Sequence, residues 1–101
     1  MEQFKKAQEI GKRTQEMQKE LEAMEVTGAS SDGTVSVVVT GQNKPVRVEF
    51  SDGSLSEGTP EGVSESVTEA MKDAHQKGTE IAAKKMMALY QELGLPVGQG
   101  M

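Results

Sequence analysis

The sequence predicts an α+β fold in which a long helix, a three-stranded antiparallel sheet and a long C-terminal helix follow one another. Three observations predict it: helical spacing of apolar residues near the start, alternating apolar and polar residues in the middle, and a second, longer helical pattern after residue 59. We expect one domain over residues 1–96 and a flexible tail over residues 97–101.

The first helix is predicted from Gln3 to about Glu25. Within this range, small and apolar residues recur at alternating spacings of three and four, which is typical of a helix that buries a narrow seam. The seam residues are Ala7, Ile10, Thr14, Met17, Leu21 and Met24.

Three strands are predicted at Met24–Ala29, Thr34–Thr40 and Pro45–Ser51. Valines alternate with polar residues in the second and third strands, so each strand should have one core face and one solvent face. The connecting segments are short and rich in turn-forming residues, and an antiparallel meander is therefore the simplest pairing. The predicted core residues of the last two strands are Val35, Val37, Val39, Val46, Val48 and Phe50.

The second helix follows a predicted polar loop, Asp52–Gly58. Thr59 is the expected N-cap, Pro60 suits the first helical position, and Gly94 gives a stop signal. A helix of about 34 residues is ~50 Å long. That length exceeds a compact domain of this size, so the helix must project from the globule or bend near Gly78.

The apolar fraction is lean for a core that one chain must fill alone. Only 35% of the residues are hydrophobic and 3% are aromatic. We therefore expect a homodimer in which a second copy completes the core. The predicted interface residues are Ile10, Met17, Leu21, Val35, Val37 and Val39.

The residue inventory argues against catalysis. The chain has no cysteine, and His75 is its only histidine. It therefore lacks the usual ligands of a metal site and the side chains for a nucleophile with a paired base. No phosphate-binding glycine loop and no run of about 20 apolar residues occurs. We predict a protein that is not an enzyme, with no catalytic residues, metal, cofactor, small-molecule substrate or membrane span.

Charge is distributed unevenly. The formal net charge is −5, but the acidic residues are concentrated in residues 20–73, and the flanking segments are net positive. Lys5 and Lys6 in the first helical turns oppose the macrodipole, and such violations often mark function, here the binding of a polyanion. Ion pairing at i,i+4, as for Asp73 and Lys77, is the alternative. The candidate DNA-binding residues are Lys5, Lys6, Lys12, Arg13, Lys77, Lys84 and Lys85.

Several segments share an order and spacing across residues 4–96. They are Gln15–Leu21, Met24–Gly28, the Gly33-x-Val35-x-Val37 strand with Gly41, Val48-Glu49, and Ala70–Ala74. In this pattern the chain resembles the YbaB/EbfC family of nucleoid-associated proteins. The resemblance implies a tweezer-shaped homodimer with projecting helical arms, which binds duplex DNA without sequence preference. The seven basic residues named above are the arm positions.

The segments Val67–His75 and Leu93–Pro96 are most similar to the cyanobacterial and plastid branch of this family. That branch implies a second hypothesis, a protein-biogenesis adaptor for thylakoid protein targeting or at the ribosome. Such an adaptor would bind a protein partner through the acidic or methionine-rich surface. The expected location is the bacterial cytoplasm or nucleoid, or the chloroplast stroma.

Overall fold

The order of helices and strands agrees with the sequence pattern. The computed structural model of the chain describes the backbone of residues 2–94 and the side chains of residues 5–94. Within these residues the elements are α1 (Glu2–Ala23), β1 (Glu25–Ala29), β2 (Val35–Thr40), β3 (Pro45–Phe50), α2 (Ser54–Glu57) and α3 (Pro60–Glu92). The predicted α+β fold class is confirmed. The short helix α2 was not predicted and lies in the segment expected to be a polar loop, while the predicted tail lies outside the described residues.

The sheet is the predicted antiparallel meander, in the order β1-β2-β3. Gly28 of β1 pairs with Val37 of β2, and Val37 pairs with Val48 of β3. The chain reverses between β1 and β2 around Asp32. Its Oδ1 atom accepts hydrogen bonds from the Ser30 hydroxyl (2.7 Å) and from the Thr34 amide (3.0 Å) and hydroxyl (2.7 Å).

The first half of α3 packs against β1 and β2. Thr59 caps it as predicted, because its hydroxyl accepts a hydrogen bond from the Gly62 amide at 3.0 Å. Ala70 and Ala74 are fully buried there. They complete a core with Val26, Val35, Val37 and Val39.

The second half of α3 leaves the sheet and packs against α1. Met17 and Leu21 of α1 form a second core cluster with Leu89 and Leu93. The helix is continuous through Gly78, which lies against the Asn43 side chain. The lack of a side chain at Gly78 permits this close approach. The molecule is accordingly elongated, 65 Å along its major axis.

Asp32 joins the β1–β2 turn to α3, because its Oδ2 atom accepts a hydrogen bond from the Ser66 hydroxyl at 3.0 Å. The hydrogen bonds from Ser30, Thr34 and Ser66 hold the pKa of Asp32 well below its usual value. A carboxyl with a lowered folded-state pKa stabilises the fold above its unfolded-state pKa of about 3.9, and this contribution is lost as pH falls through the folded-state value.

We therefore expect Asp32→Asn to lower the urea midpoint at pH 7 and to have a progressively smaller effect below about pH 4. Urea titrations of both proteins between pH 7 and pH 2 measure this. Asp52→Asn, in an exposed segment, is the control. A deficit for Asp32→Asn that stays constant with pH would contradict the assigned role.

No helix among the described residues is long and apolar enough to cross a membrane.

Candidate functional site

The predicted basic residues lie on the elongated part of the molecule, which we call the arm: α1 with residues 77–92 of α3. Lys77 is exposed, and so are four others, Lys5, Lys6, Lys12 and Lys84. Within the described part of the chain, the ion pairs include none of these four ammonium groups. They are therefore available to bind an anion.

Arg13 and Lys85 instead connect the two helices of the arm. The Arg13 guanidinium contacts the carboxylate of Glu92 on α3, and Lys85 Nζ lies 3.2 Å from Glu20 Oε2 on α1. The hydrogen bond from Arg13 lowers the pKa of Glu92, and the same contact raises the pKa of Arg13. Both cations are thus already partly neutralised, and they hold α1 and α3 together.

Lys77 has a similar local role near the sheet. Its Nζ lies 3.0 Å from Asp73 Oδ2, and the same oxygen accepts a hydrogen bond from the Ala29 amide at 3.0 Å. The Ala29 amide and then Lys77 keep the pKa of Asp73 below its usual value. The i,i+4 pairing expected for Asp73 and Lys77 is present within α3. The hydrogen bond from the Ala29 amide to Asp73 fixes α3 to the edge of β1.

Lys19 is a basic arm residue that the sequence analysis did not select. It is exposed, and in the region described it forms no ion pair. Lys5, Lys12 and Lys19 are spaced seven residues apart, so they lie on one face of α1, about 10.5 Å from one another along the axis. This heptad spacing was the signal that could have identified Lys19.

The residues predicted to form a dimer interface lie inside the single chain. Met17 and Leu21 are buried between α1 and α3, with Ile10 half-buried beside them. Val35, Val37 and Val39 are buried beneath α3. These side chains pack within one chain and leave little surface exposed.

The exposed apolar surface is on β3. Val46 is 44% exposed, Val48 46% and Phe50 39%, although the alternation predicts a core face for them. The reason is that α3 covers β1 and β2, leaving β3 beside the helix and not beneath it. With Met71, which is 54% exposed, Val46 and Val48 line a groove of about 330 Å³ that also includes the exposed His75.

The described residues offer little for metal chemistry. Among residues 5–94 no group of three or more His, Asp or Glu side chains is placed to hold a metal ion. The cleft between α1 and α3 is lined mainly by the ion-paired Arg13, Glu20, Lys85 and Glu92. The chemically distinctive groups of the site are therefore the exposed ammonium groups of the arm.

This chain is similar to known proteins in family, sequence and fold. Residues 1–93 match the model of the YbaB/EbfC DNA-binding family. The chain is 43% identical to the nucleoid-associated protein slr1847 of Synechocystis, over 92% of this chain and 81% of that protein. It is 44% identical to the nucleoid-associated protein Npun_F0448 of Nostoc punctiforme, over 92% and 80%. The fold is similar to that of the uncharacterized Helicobacter pylori protein HP0035, with a TM-score of 0.68, 20% identity, and coverage of 85% of this chain and 88% of that one.

Proposed function

Because this chain belongs to the YbaB/EbfC DNA-binding family, we propose that it is a nucleoid-associated protein that binds duplex DNA through its phosphates. The observation that carries the proposal is a set of exposed arm lysines that form no ion pair with a carboxylate among residues 5–94: Lys5, Lys6, Lys12, Lys19 and Lys84. Ammonium groups on phosphate oxygens bind DNA of any sequence. Arg13 and Lys85 hold the two arm helices together, and Lys77 pairs with Asp73. These three residues, which were also predicted to bind DNA, contribute less to the contact.

The acidic body of the protein does not prevent this contact. Glu65 and Glu69 lie near the start of α3, whereas Lys84 lies towards its end. The axial distance from Glu65 to Lys84 is about 28 Å. At physiological salt the Debye length is only about 8 Å, so repulsion from the acidic end is strongly screened at the arm.

The same relatives support a bacterial cytoplasmic location at the nucleoid. They are cyanobacterial proteins named for nucleoid association, and these names give no support to the protein-biogenesis adaptor or to the chloroplast stroma. We also propose that the protein acts without catalysis, because binding phosphates through lysines requires no reacting group.

A homodimer is the proposed working form. Its support is the apolar surface of Val46, Val48, Phe50 and Met71, which a single chain leaves exposed. Two copies would present two arms to one duplex. A second arm tethered in this way binds at a high effective concentration and strengthens binding without any new kind of contact.

The proposal predicts that affinity depends on salt and not on base sequence. Fluorescence anisotropy with two unrelated duplexes should give similar affinities at each salt concentration. The logarithm of the association constant should fall linearly with the logarithm of salt concentration, by about 0.9 for each phosphate contact. Absence of binding at ~10 mM salt, where the Debye length is about 30 Å, would overturn the proposal.

A further inference from the structure

The exposed lysines of the arm flank a cleft of about 200 Å³ between α1 and α3. Its charged lining consists of two cations and three carboxylates: Arg13, Glu16, Glu20, Lys85 and Glu92. At neutral pH the lining therefore has a net charge of −1, which repels a DNA phosphate. The centre of the arm is acidic, although the lysines beside it are suited to bind DNA.

The lysines and the cleft lie on the same side of the arm. Lys5 lines a shallow depression together with Glu92. Lys12 lies about two helical turns beyond Lys5 on the same face of α1. On α3, Lys84 lies one turn before Ala88, which lines the cleft. A duplex that contacts these lysines must therefore pass over the cleft.

Within the cleft, each cation contacts a carboxylate that is more exposed than the cation itself. The side chain of Glu92 is 54% exposed, and that of its partner Arg13 is 33% exposed. The side chain of Glu20 is 63% exposed and lies 3.2 Å from Lys85, which is 34% exposed. A phosphate that approaches from solvent meets the carboxylates first. Each cation is free to bind that phosphate only after it leaves its carboxylate.

We propose that Glu20 and Glu92 are internal competitors of DNA, which hold Lys85 and Arg13 away from phosphate and so limit the affinity of the arm. The inference rests on the proposed function and names the residues that set its strength. When a duplex binds, a phosphate replaces each carboxylate. Arg13 then presents two parallel N–H donors to the phosphate oxygens, and Lys85 presents a point charge. The displaced glutamates remain in solvent, because they are already exposed.

Apolar contacts keep the two arm helices packed during this exchange. Met17 and Leu21 of α1 are buried in one cluster with Leu89 and Leu93 of α3. The ion pairs add to this packing but are not required for it, since ion pairs at exposed positions stabilise a fold only weakly. The arm can therefore open both ion pairs and stay folded, as an exchange with DNA requires.

Neutral replacement of the two carboxylates tests the competition. Glu20→Gln with Glu92→Gln releases Lys85 and Arg13 from these partners. DNA affinity at 0.1 M salt should rise about tenfold for each released cation that reaches a phosphate, and the slope of log K against log salt should increase in magnitude by about 0.9 for each. If the ion pairs served only to hold the arm in shape, the same variant would bind DNA more weakly. The direction of the change therefore distinguishes the two roles.

The matched control removes two carboxylates that hold no cation. Glu22 on α1 and Glu80 on α3 are exposed, and neither forms an ion pair among residues 5–94. Glu22→Gln with Glu80→Gln has the same net charge as the Glu20 and Glu92 variant, so it measures the effect of charge alone. Fluorescence anisotropy with two unrelated duplexes at several salt concentrations measures both variants, and circular dichroism checks that each is folded.

A second comparison assigns the gain in affinity to a released cation. Glu92→Gln alone should bind DNA more tightly than the wild type. Addition of Arg13→Gln restores the wild-type net charge and removes the released guanidinium, so the affinity and the salt slope should return to about the wild-type values. A gain that persists without Arg13 would overturn the proposal, because it would come from the lost carboxylate and not from the cation.

The outcomes separate this inference from the proposed function. Tighter binding by the Glu20 and Glu92 variant than by its control would support the competition. A wild type that binds DNA with the expected salt slope, while that variant binds no more tightly than its control, would overturn the competition and leave the proposed function intact. Absence of binding by the wild type and by every variant at ~10 mM salt would overturn both.

Discussion

Replacement of Lys5, Lys6, Lys12 and Lys84 by alanine is expected to weaken DNA binding. At 0.1 M salt, each lost contact between an ammonium group and a DNA phosphate should lower the affinity about tenfold. The reason is that these exposed ammonium groups have no carboxylate partner in the described structure, so each can release a counterion from DNA when it binds. The weakening should be nearly equal for unrelated duplexes. The slope of log K against log salt should decrease in magnitude by about 0.9 for each such phosphate.

Two double variants of equal net charge distinguish the contribution of the arm lysines to DNA binding from the effect of net charge. Lys5→Ala with Lys6→Ala removes two positive charges from the arm, and Lys44→Ala with Lys72→Ala removes two from exposed positions on the body. The two double variants have the same net charge. Only the arm variant should bind more weakly and with a shallower slope. Equal weakening by both would show that overall charge, and not the arm, determines binding.

Gly28→Ala is expected to lower the free energy of unfolding by about 3 kcal/mol. A β-carbon at Gly28 would lie 2.5 Å from the Ala70 carbonyl oxygen and still closer to the backbone of Ala74. Rotation of a side chain cannot relieve contact with backbone atoms, so α3 must move away from β1 and open the valine core. This cost is a large part of the 5–15 kcal/mol that is typical of a folded domain.

Gly11→Ala is the control for this substitution. A β-carbon at Gly11 would meet no atom within 4 Å, and the residue lies inside α1. Alanine should therefore stabilise the protein by about 0.5–1 kcal/mol through helix propensity alone. Urea unfolding at one fixed protein concentration measures both variants, since association would shift the midpoint. A change at Gly28 within ~0.5 kcal/mol, typical of a surface site, would contradict the close approach.

The elements of this fold could be predicted from sequence because their signals are local. Thr59 and Pro60 predict where α3 begins, since capping depends on residues within one helical turn. The strand boundaries differ from the predicted ones by a single residue, because alternation and turn chemistry act over a few residues. The uneven distribution of charge and the lack of residues suited to catalysis can likewise be read from the sequence directly. Together with the family pattern they indicate DNA binding.

The tertiary structure decided which side chains remain available. Alternation assigns Val48 and Val37 to the same kind of face, but α3 covers β2 and leaves β3 exposed, so only Val37 is buried. Spacing in the sequence predicts DNA binding equally for Lys12 and Arg13. Packing of α1 on α3 brings Glu92 to Arg13 and leaves Lys12 without a carboxylate partner in the described structure. Both outcomes depend on contacts between residues far apart in the chain, and no local pattern encodes which helix covers which strand.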